Sequence, residues 1–469
     1  YMYHGGENPD GKLTTLMESQ ATGMWNDMPV KNYDFQTALG EYGQIRPQYH
    51  LLRRLHLFLH EWGPSLAAMS AAMPDQRPLG RDDFGTLRWS VRSDGRSGFV
   101  FVNNYQRSHE MGCKDGEQFT INLPGGPLTF PDAPMTVPAD NCFFWPFNLD
   151  LGHGINLAWA SAQPLTAVED GKVRTVLFAA TPNVPPRFAF SDNGVAVQAL
   201  SGDISKGKDG IIARNVSTGT GVALKVTGSD GQIVQVVVLD DTTSLELWKE
   251  PWLGRDRVFL TQAGLVVDGN NLRLTSARLG DLTVGVYPPP TAIEAAGQTL
   301  EDKTDGIFES FAPPAPAEVS PRVTFESIQK AGPPRDIPIG KIDRPVATAP
   351  LDADFAKAAV WRIHLPANLD LSLDPILRLH YVGDVARVTL NGKLLVDDFY
   401  NGNAFDLGLR RYAPEILNGD LELAVLPMRK DAPIFMAPSA KPDFGAAGSV
   451  VDLQGVEIIP RYHLEVTAR

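Results

Sequence analysis

The chain has 469 residues, with 42 Lys and Arg against 55 Asp and Glu, and a formal net charge of −13. At about 150 residues per domain this suggests roughly three domains, long enough to bury a core without disulfides or metals. No run of Lys and Arg builds the basic face that nucleic acid requires, and no apolar run approaches the ~20 residues of a membrane-spanning helix.

The 43 glycines and 37 prolines are about a sixth of the chain, beside 43% hydrophobic residues. That mixture reads as a folded, turn-rich, mainly β protein. The first region, 1–75, is the least β-like. An apolar-aromatic stretch, Tyr1 to His4, leads into Gly5-Gly6 and a long polar loop with turn residues Asn8, Pro9, Asp10 and Gly11. A helix is predicted from Pro47, a position where the missing N–H costs nothing. Leu51, Leu52, Leu55, Phe58, Leu59 and Trp62 follow at helical spacing, with Arg53, Arg54, His56 and His60 mostly opposite, and Gly63-Pro64 is the expected stop. A strand, a loop and an amphipathic helix match one βα unit of a parallel fold. A lone unit cannot bury both faces of its strand, so residues 1–75 are expected to be the least protected part of the chain.

Residues 76–180 read as a β-sandwich domain, with an apolar run at 98–102, an alternating stretch at 119–123 and an aromatic cluster of Phe143, Phe144, Trp145 and Phe147. A second β domain, 181–290, has its strongest strand at 234–239 and others at 258–260 and 282–286. Turn signals recur about every 8–12 residues, the spacing of sandwiches and barrels. Residues 291–345 are Pro-rich and read as an extended connector that docks through Phe308 and Phe311. In the last region, 346–469, alternating residues 385–390 run into Asn391-Gly392 and resume at 394–396, the strongest short hairpin signal.

Cys113 and Cys142 read as two buried thiols or one optional bridge. The nine histidines are scattered without HExxH spacing, so no metal centre is expected. There is no GxGxxG, no phosphate loop and no GxSxG elbow, and no cofactor is implied. The loop of the first region mixes Glu7, Asn8, Asp10, Glu18, Asp34 and Glu41 with Trp25, Tyr33, Phe35 and Tyr42. Sugar binding uses this mixture, with carboxylates and amides on hydroxyls and rings on the C–H face. Composition alone favours an ordinary polar loop whose Asp and Asn make turns. Asp397, Asp398, Tyr400, Asn401 and Asn403 read as a loop satisfying its own backbone, in preference to a sugar-binding mouth. Trp145, Trp159, Trp248 and Trp252 read as core or interface rings.

The stretch YMYHGGENPDG at 1–11, followed by NYDFQTALGEYGQ at 32–44, resembles glycoside hydrolase family 35, the β-galactosidases. Its typical form is a strand YMFHGGTNFG, a loop ending SYDYDAPLSEAG, and a helix, in that order. FVFVNNYQR, WPFNLDL and DDFYNGNAFDLGL look like the β domains that follow the barrel in bacterial members. The resemblance implies the last βα unit of a (β/α)8 barrel, then β-sandwich domains and a C-terminal jelly-roll, galactose-binding-like module. Active sites in such barrels face the C-terminal strand ends.

By resemblance the substrate-binding residues are Tyr1, Glu7, Asn8, Asp34 and Phe35. Tyr1 matches a tyrosine that touches galactose, and Asp34 matches an aspartate that holds the loop. Phe35 replaces a substrate-facing tyrosine and removes a hydroxyl. Glu7 replaces a threonine, leaving a sugar hydroxyl, a cation or solvent as its partner. The family's acid/base and nucleophile glutamates sit in ENEYG-like and TEFWxGWF-like motifs, and neither motif occurs in this sequence. No residue here is assigned a catalytic role. With Tyr at position 1, the chain reads as the C-terminal part of a longer retaining hydrolase acting on galactosides or oligosaccharides, inactive alone. Bacterial members of this type imply a periplasmic or extracellular place. The alternative is a non-catalytic carbohydrate-binding or scaffolding β-sandwich protein.

Overall fold

The computed structural model describes residues 2–13, 16–208, 210–314, 316–340 and 346–468. The fold is mainly β and divides into two compact units. Among the described residues no helix is long and apolar enough to cross a membrane.

One unit comprises His50–Leu274, Gly280–Ala315 and Leu464–Arg469. Its largest sheet has eight strands, in the order Asp203–Gly207, Gly210–Arg214, Phe188–Phe190, Asn156–Ala160, Asn141–Asp150, Gly98–Asn104, Arg88–Ser93 and Ser70–Ala72. A five-stranded sheet packs on it, centred on Val173–Ala180 and Ile233–Leu239, which run parallel from Val173 opposite Ile233. Phe99, Leu157, Phe178, Phe188, Val234 and Val236 fill the space between the two sheets. These sequences are long apolar runs rather than strict alternations, because both strand faces are covered. Trp145, Trp159, Trp248 and Trp252 are all buried, as core rings.

The helix Pro47–Ala68 starts at the expected proline and continues through Gly63-Pro64 to Ala68. Pro64 removes the N–H that would serve the carbonyl of His60. His60 is exposed, where water can take that carbonyl. The last turn is held by the packing of Trp62 and Leu66 and by Arg92, which donates to the carbonyls of Leu66 (3.1 Å) and Met69 (2.6 Å). The buried face also differs from expectation. Leu57, Phe58, Trp62 and Arg53 are buried, whereas Leu51, Leu55 and Leu59 are 38–49% exposed. Arg53 goes inward because its Nε donates to the carbonyl of Leu247 (3.1 Å) and its guanidinium lies 3.6 Å from the Trp248 ring centroid. Residues 50–68 are therefore anchored in an apolar core, which corrects the expectation of a poorly protected lone helix.

The other unit comprises Tyr1–Tyr49, Thr275–Leu279 and Pro316–His463. Its body is an antiparallel sandwich. Five strands run in the order Thr324–Gln329, Ala359–His364, Leu421–Val425, Val385–Leu390 and Lys393–Phe399, and three more as Phe405–Gly408, Ile376–Val382 and Asp452–Ile459. Leu377, Leu379, Val388, Leu423 and Val425 are its fully buried centre. The Asn391-Gly392 hairpin is present, with φ of +52° and +79° at the two turn residues, as a type I′ turn requires.

Three expectations are corrected. Among the described residues the aromatic start forms no strand: His4 makes one parallel bridge to Leu39, and the pairing strands are Gly6–Glu7 and Asn32–Tyr33. Tyr3 and Gly5 each bond Leu39 through the backbone, too few contacts for a ladder, and the regular pairing forms where the chain returns on itself. Within the expected connector, Ile293–Ala295, Gln298–Thr299, Asp302–Asp305 and Phe308–Phe311 are short strands, with Phe308 and Phe311 buried. Cys113 and Cys142 are free and exposed rather than buried, sitting at the ends of strands near polar turns.

Phe58 is wholly buried against Phe99 (5.0 Å) and Phe144 (4.3 Å). Phe58→Ala is expected to lower unfolding free energy by about 3–5 kcal/mol, and Leu59→Ala by less than ~1 kcal/mol. Urea denaturation followed by tryptophan fluorescence measures both.

Candidate functional site

Residues 2–46 have little regular structure, and side-chain bonds hold them in place. Two strands of only two residues set the frame, with Gly6 opposite Tyr33 and Glu7 opposite Asn32. This brings the two stretches that carry the family resemblance side by side. Asp34 is at their centre. Its carboxylate accepts from the backbone N–H of Gln36 (2.9 Å) and Glu41 (2.6 Å) and from Arg46 (2.6 Å). Gly5 lies so close that a Cβ there would be 2.5 Å from Asp34 Oδ2. Only glycine fits, which gives one of the paired glycines a packing reason.

Glu7 has two cationic partners. Its two oxygens pair with Lys31 (2.8 Å) and Arg411 (2.7 Å). Lys31 is buried and also bonds Asp10 (3.0 Å). Burial alone would lower the Lys31 ammonium, but its bonds to Glu7 and Asp10 outweigh that and hold its pKa above the ordinary value. Arg411 bonds Glu41 as well, and its guanidinium lies over the Tyr42 ring (4.7 Å). Burial pushes the Glu41 carboxyl up to about 7, against the pull of Arg411 and with the added push of Glu7. Asn8 is buried and donates to the carbonyls of Pro29 (3.4 Å) and Val30 (3.2 Å). Tyr1 lies outside the described residues.

Phe35 stands apart. Its ring is 46% exposed and meets Tyr33 edge-on at 4.6 Å. Phe35 and Gln36 have φ of +56° and +54°. Two consecutive non-glycine residues in the left-handed region cost roughly 1–3 kcal/mol each and persist only where surroundings impose them. Here Asp34 accepts the Gln36 N–H, and Gln48 donates to the Gln36 carbonyl (2.6 Å).

Sequence reasoning missed the strongest contact. Asp397 and Asp398 are not in a loop. They end the strand Lys393–Phe399, buried at 1% and 6% exposure. Asp397 accepts from the backbone N–H groups of Val30 (2.6 Å), Lys31 (2.7 Å) and Asn32 (3.3 Å). Burial pushes it above the usual carboxylate range, and those three donors offset the push in part. Asp398 accepts from Tyr381 (2.8 Å) and the Asn32 amide (3.3 Å). Burial pushes it up to about 7, and Asp397, Asp34 and Asp406 add to the push. Asn401 and Asn403 do serve their own loop, through the Asn403 N–H and side-chain amide to Asn401 Oδ1. The available signal was two adjacent carboxylates closing an apolar strand, which need partners when buried. Arg411 had no local signal.

Every acid of the two motif stretches that is described here thus has a cation or N–H partner. Among the described residues no group of three or more side chains converges as a metal site. The arrangement can hold a shaped polar surface with an outward ring, and it offers no pair of free carboxylates.

No family model and no curated protein matches this chain. A solved structure, Gamma-CGTASE from Alkalophilic bacillus clarkii, is 11% identical over 73% of this chain and 40% of that one, with a TM-score of 0.13. The chain therefore spans less than half of that protein, and so slight a likeness supports no argument about fold or function.

Two outcomes follow from the buried acids. Asp397→Ala leaves three N–H groups without their acceptor and is expected to speed trypsin cleavage after Lys31 by about tenfold or more, read by limited proteolysis. Asp398 and Glu41 keep protons when folded that they lose near pH 4 when unfolded. The folded state binds more protons from about pH 4 to 7, so the stability of this unit falls as pH rises through that window and is flat above it. Asp398→Asn is expected to remove roughly 2–4 kcal/mol of that pH dependence, seen by comparing urea midpoints at pH 5 and pH 8.

Proposed function

We propose that this chain is the C-terminal, non-catalytic part of a retaining β-galactosidase-like glycoside hydrolase, and that residues 2–46 form part of a sugar-facing wall. The observation that carries this reading is the strained, outward Phe35 ring beside the paired stretches Tyr3–Glu7 and Asn32–Glu41. A ring held in solvent by an overdetermined backbone suits the apolar C–H face of a sugar. In this reading the N-terminal stretch and its helix are the end of a barrel, the C-terminal sandwich is a jelly-roll, galactose-binding-like module, and the parent enzyme works outside the cytoplasm.

Retention needs two carboxylates about 5–5.5 Å apart, one attacking the anomeric carbon and one protonating the leaving oxygen before activating water. Neither glutamate motif is in this sequence. Asp34, Glu41 and Glu7 are engaged by Arg46, Arg411 and Lys31, and their role is to fix the wall rather than to react.

The purified chain is expected to bind galactose weakly and to turn over no aryl β-galactoside above a mock preparation. Phe35→Ala should weaken galactose binding at least about fivefold, measured by ligand-observed NMR, with circular dichroism unchanged. Turnover by the chain alone overturns the non-catalytic reading. Galactose binding indifferent to Phe35→Ala overturns the wall and favours a sugar site on the β-sandwiches.

A further inference from the structure

The strand Lys393–Phe399 is the last of its five-stranded sheet, beyond Val385–Leu390. Asp397 lies opposite Arg387 and Asp398 opposite Ala386, which belongs to the sandwich core. Consecutive strand residues point to opposite faces, so Asp398 faces inward and Asp397 outward. The same short stretch reaches both: the N–H groups of Val30, Lys31 and Asn32 bond Asp397, and the Asn32 side chain bonds Asp398. Residues 30–32 therefore wrap the free edge of the sheet. Lifting them bares both carboxylates and parts none of the sandwich's own ladders.

Asp398 is the sensitive member. It is 6% exposed, and its bonds come from neutral groups, the Tyr381 hydroxyl (2.8 Å) on the facing sheet and the Asn32 amide (3.3 Å). Three carboxylates face it: Asp397 on its own strand, Asp34 on the N-terminal segment and Asp406 on Phe405–Gly408. The cations of the neighbourhood are committed elsewhere. Arg46 pairs with Asp34 (2.6 Å), Arg378 with Asp406 (2.8 Å) and Arg387 with Asp352 (2.7 Å). Tyr400 adds a ring 5.6 Å from that of Tyr381. A buried carboxyl among like charges, with neutral donors only, favours its acid form, and that of Asp398 is pushed up to about 7.

We propose that a proton on Asp398 locks residues 2–46 to the edge of the sandwich, and that losing it as pH rises releases the segment while the sandwich stays folded. In the released state water reaches Asp398 and its carboxyl returns to the ordinary range near 4. The released state then binds fewer protons between about pH 4 and 7, so release gains on the locked state through that window and levels off above it. Glu41, on the same segment, titrates in the same direction. The consequence for sugar rests on the sugar-wall reading: the wall is ordered in mild acid and loose in mild alkali.

The test is limited trypsin cleavage of the full chain after Lys31 between pH 5.5 and 8. Each rate is divided by that of a free peptide of residues 26–40, which removes the enzyme's own pH response. Where opening is fast, cleavage follows the open population. The ratio is expected to rise at least about tenfold, with circular dichroism constant and with no cleavage after Arg362 or Arg387 inside the sandwich. Asp398→Asn, a neutral mimic of the acid, should cut the rise below about threefold, the remainder belonging to Glu41. Tyr381→Phe removes a donor to the carboxylate and should move the rise to higher pH, which decides the matter if Asp398→Asn does not fold. The proposal is overturned by a ratio flat in pH, by a folded Asp398→Asn that keeps the full rise, by a Tyr381→Phe rise at unchanged or lower pH, or by loss of the sandwich in the same step. Galactose titration at both pH values is read separately: no binding at either removes the wall and leaves the lock standing, since proteolysis does not depend on sugar.

Discussion

The clasp of Asp397 on the N–H groups of Val30, Lys31 and Asn32 is the contact on which the N-terminal segment depends. A segment with two two-residue strands and one short 3-10 turn has almost no ladder of its own. Fixing each of its residues costs about 1–2 kcal/mol of conformational entropy. Apolar burial offsets little of that, since Leu13, Leu16 and Trp25 remain exposed. Charge-assisted bonds to a buried carboxylate are the strong kind. Three on one side chain, seated on a rigid strand, transmit the order of the sandwich to the loop. Asp34 repeats the device one turn later with two N–H groups and Arg46.

The clasp sets the electrostatics around it. Asp397 gathers three N–H donors while burial pushes its carboxyl up, and its neighbour Asp398 is buried beside it. Burial and that neighbour both favour a proton on Asp398. A proton on Asp398 limits the negative charge gathered in the cluster, where Asp34 and Asp406 are already paired with Arg46 and Arg378. Further out the balance is made with cations: Lys31 between Glu7 and Asp10, and Arg411 between Glu7 and Glu41. Glu7 is the shared member, so the two pairs form one chain of alternating charge. Breaking a buried pair by removing one partner strands the other, which is why such networks are more sensitive to single substitutions than surface pairs.

What the sequence shows well is what local physics decides. The Asn391-Gly392 turn needs two positive φ values and has the residues that accept them. Pro47 opens the helix where its ring is harmless. The run at 233–239 is β-branched and buried on both faces. What the sequence hides is decided at long range. The helix buries Arg53 and exposes Leu55 because Leu247 and Trp248 offer a carbonyl and a ring that no local pattern announces. Glu7 pairs with Asn32, and the preceding residues meet Leu39 in a single bridge, contacts that no local pattern announces. Arg411 reaches Glu7 across some four hundred residues of sequence, and Asp397 reaches Lys31 across nearly as many. The polar residues of the first loop were visible as candidates, but their partners were not. Without the partners, a carboxylate held by two cations looks the same as one free to meet a sugar.

The same logic explains why Phe35 differs from its neighbours. The Asp34 carboxylate, the Gln48 amide and the Tyr33 hydroxyl near it are engaged, and none of those bonds involves the ring. The bonds from Gln36 to Asp34 and from Gln48 to Gln36 accompany this left-handed backbone, and the ring meets Tyr33 by one edge. The network therefore trades backbone strain at Phe35 and Gln36 for satisfied polar groups, and the exposed ring is a consequence of that trade. A loop selected for stability alone would relieve the strain with glycine at both positions. Keeping a bulky aromatic there is consistent with a requirement on the surface that the ring presents.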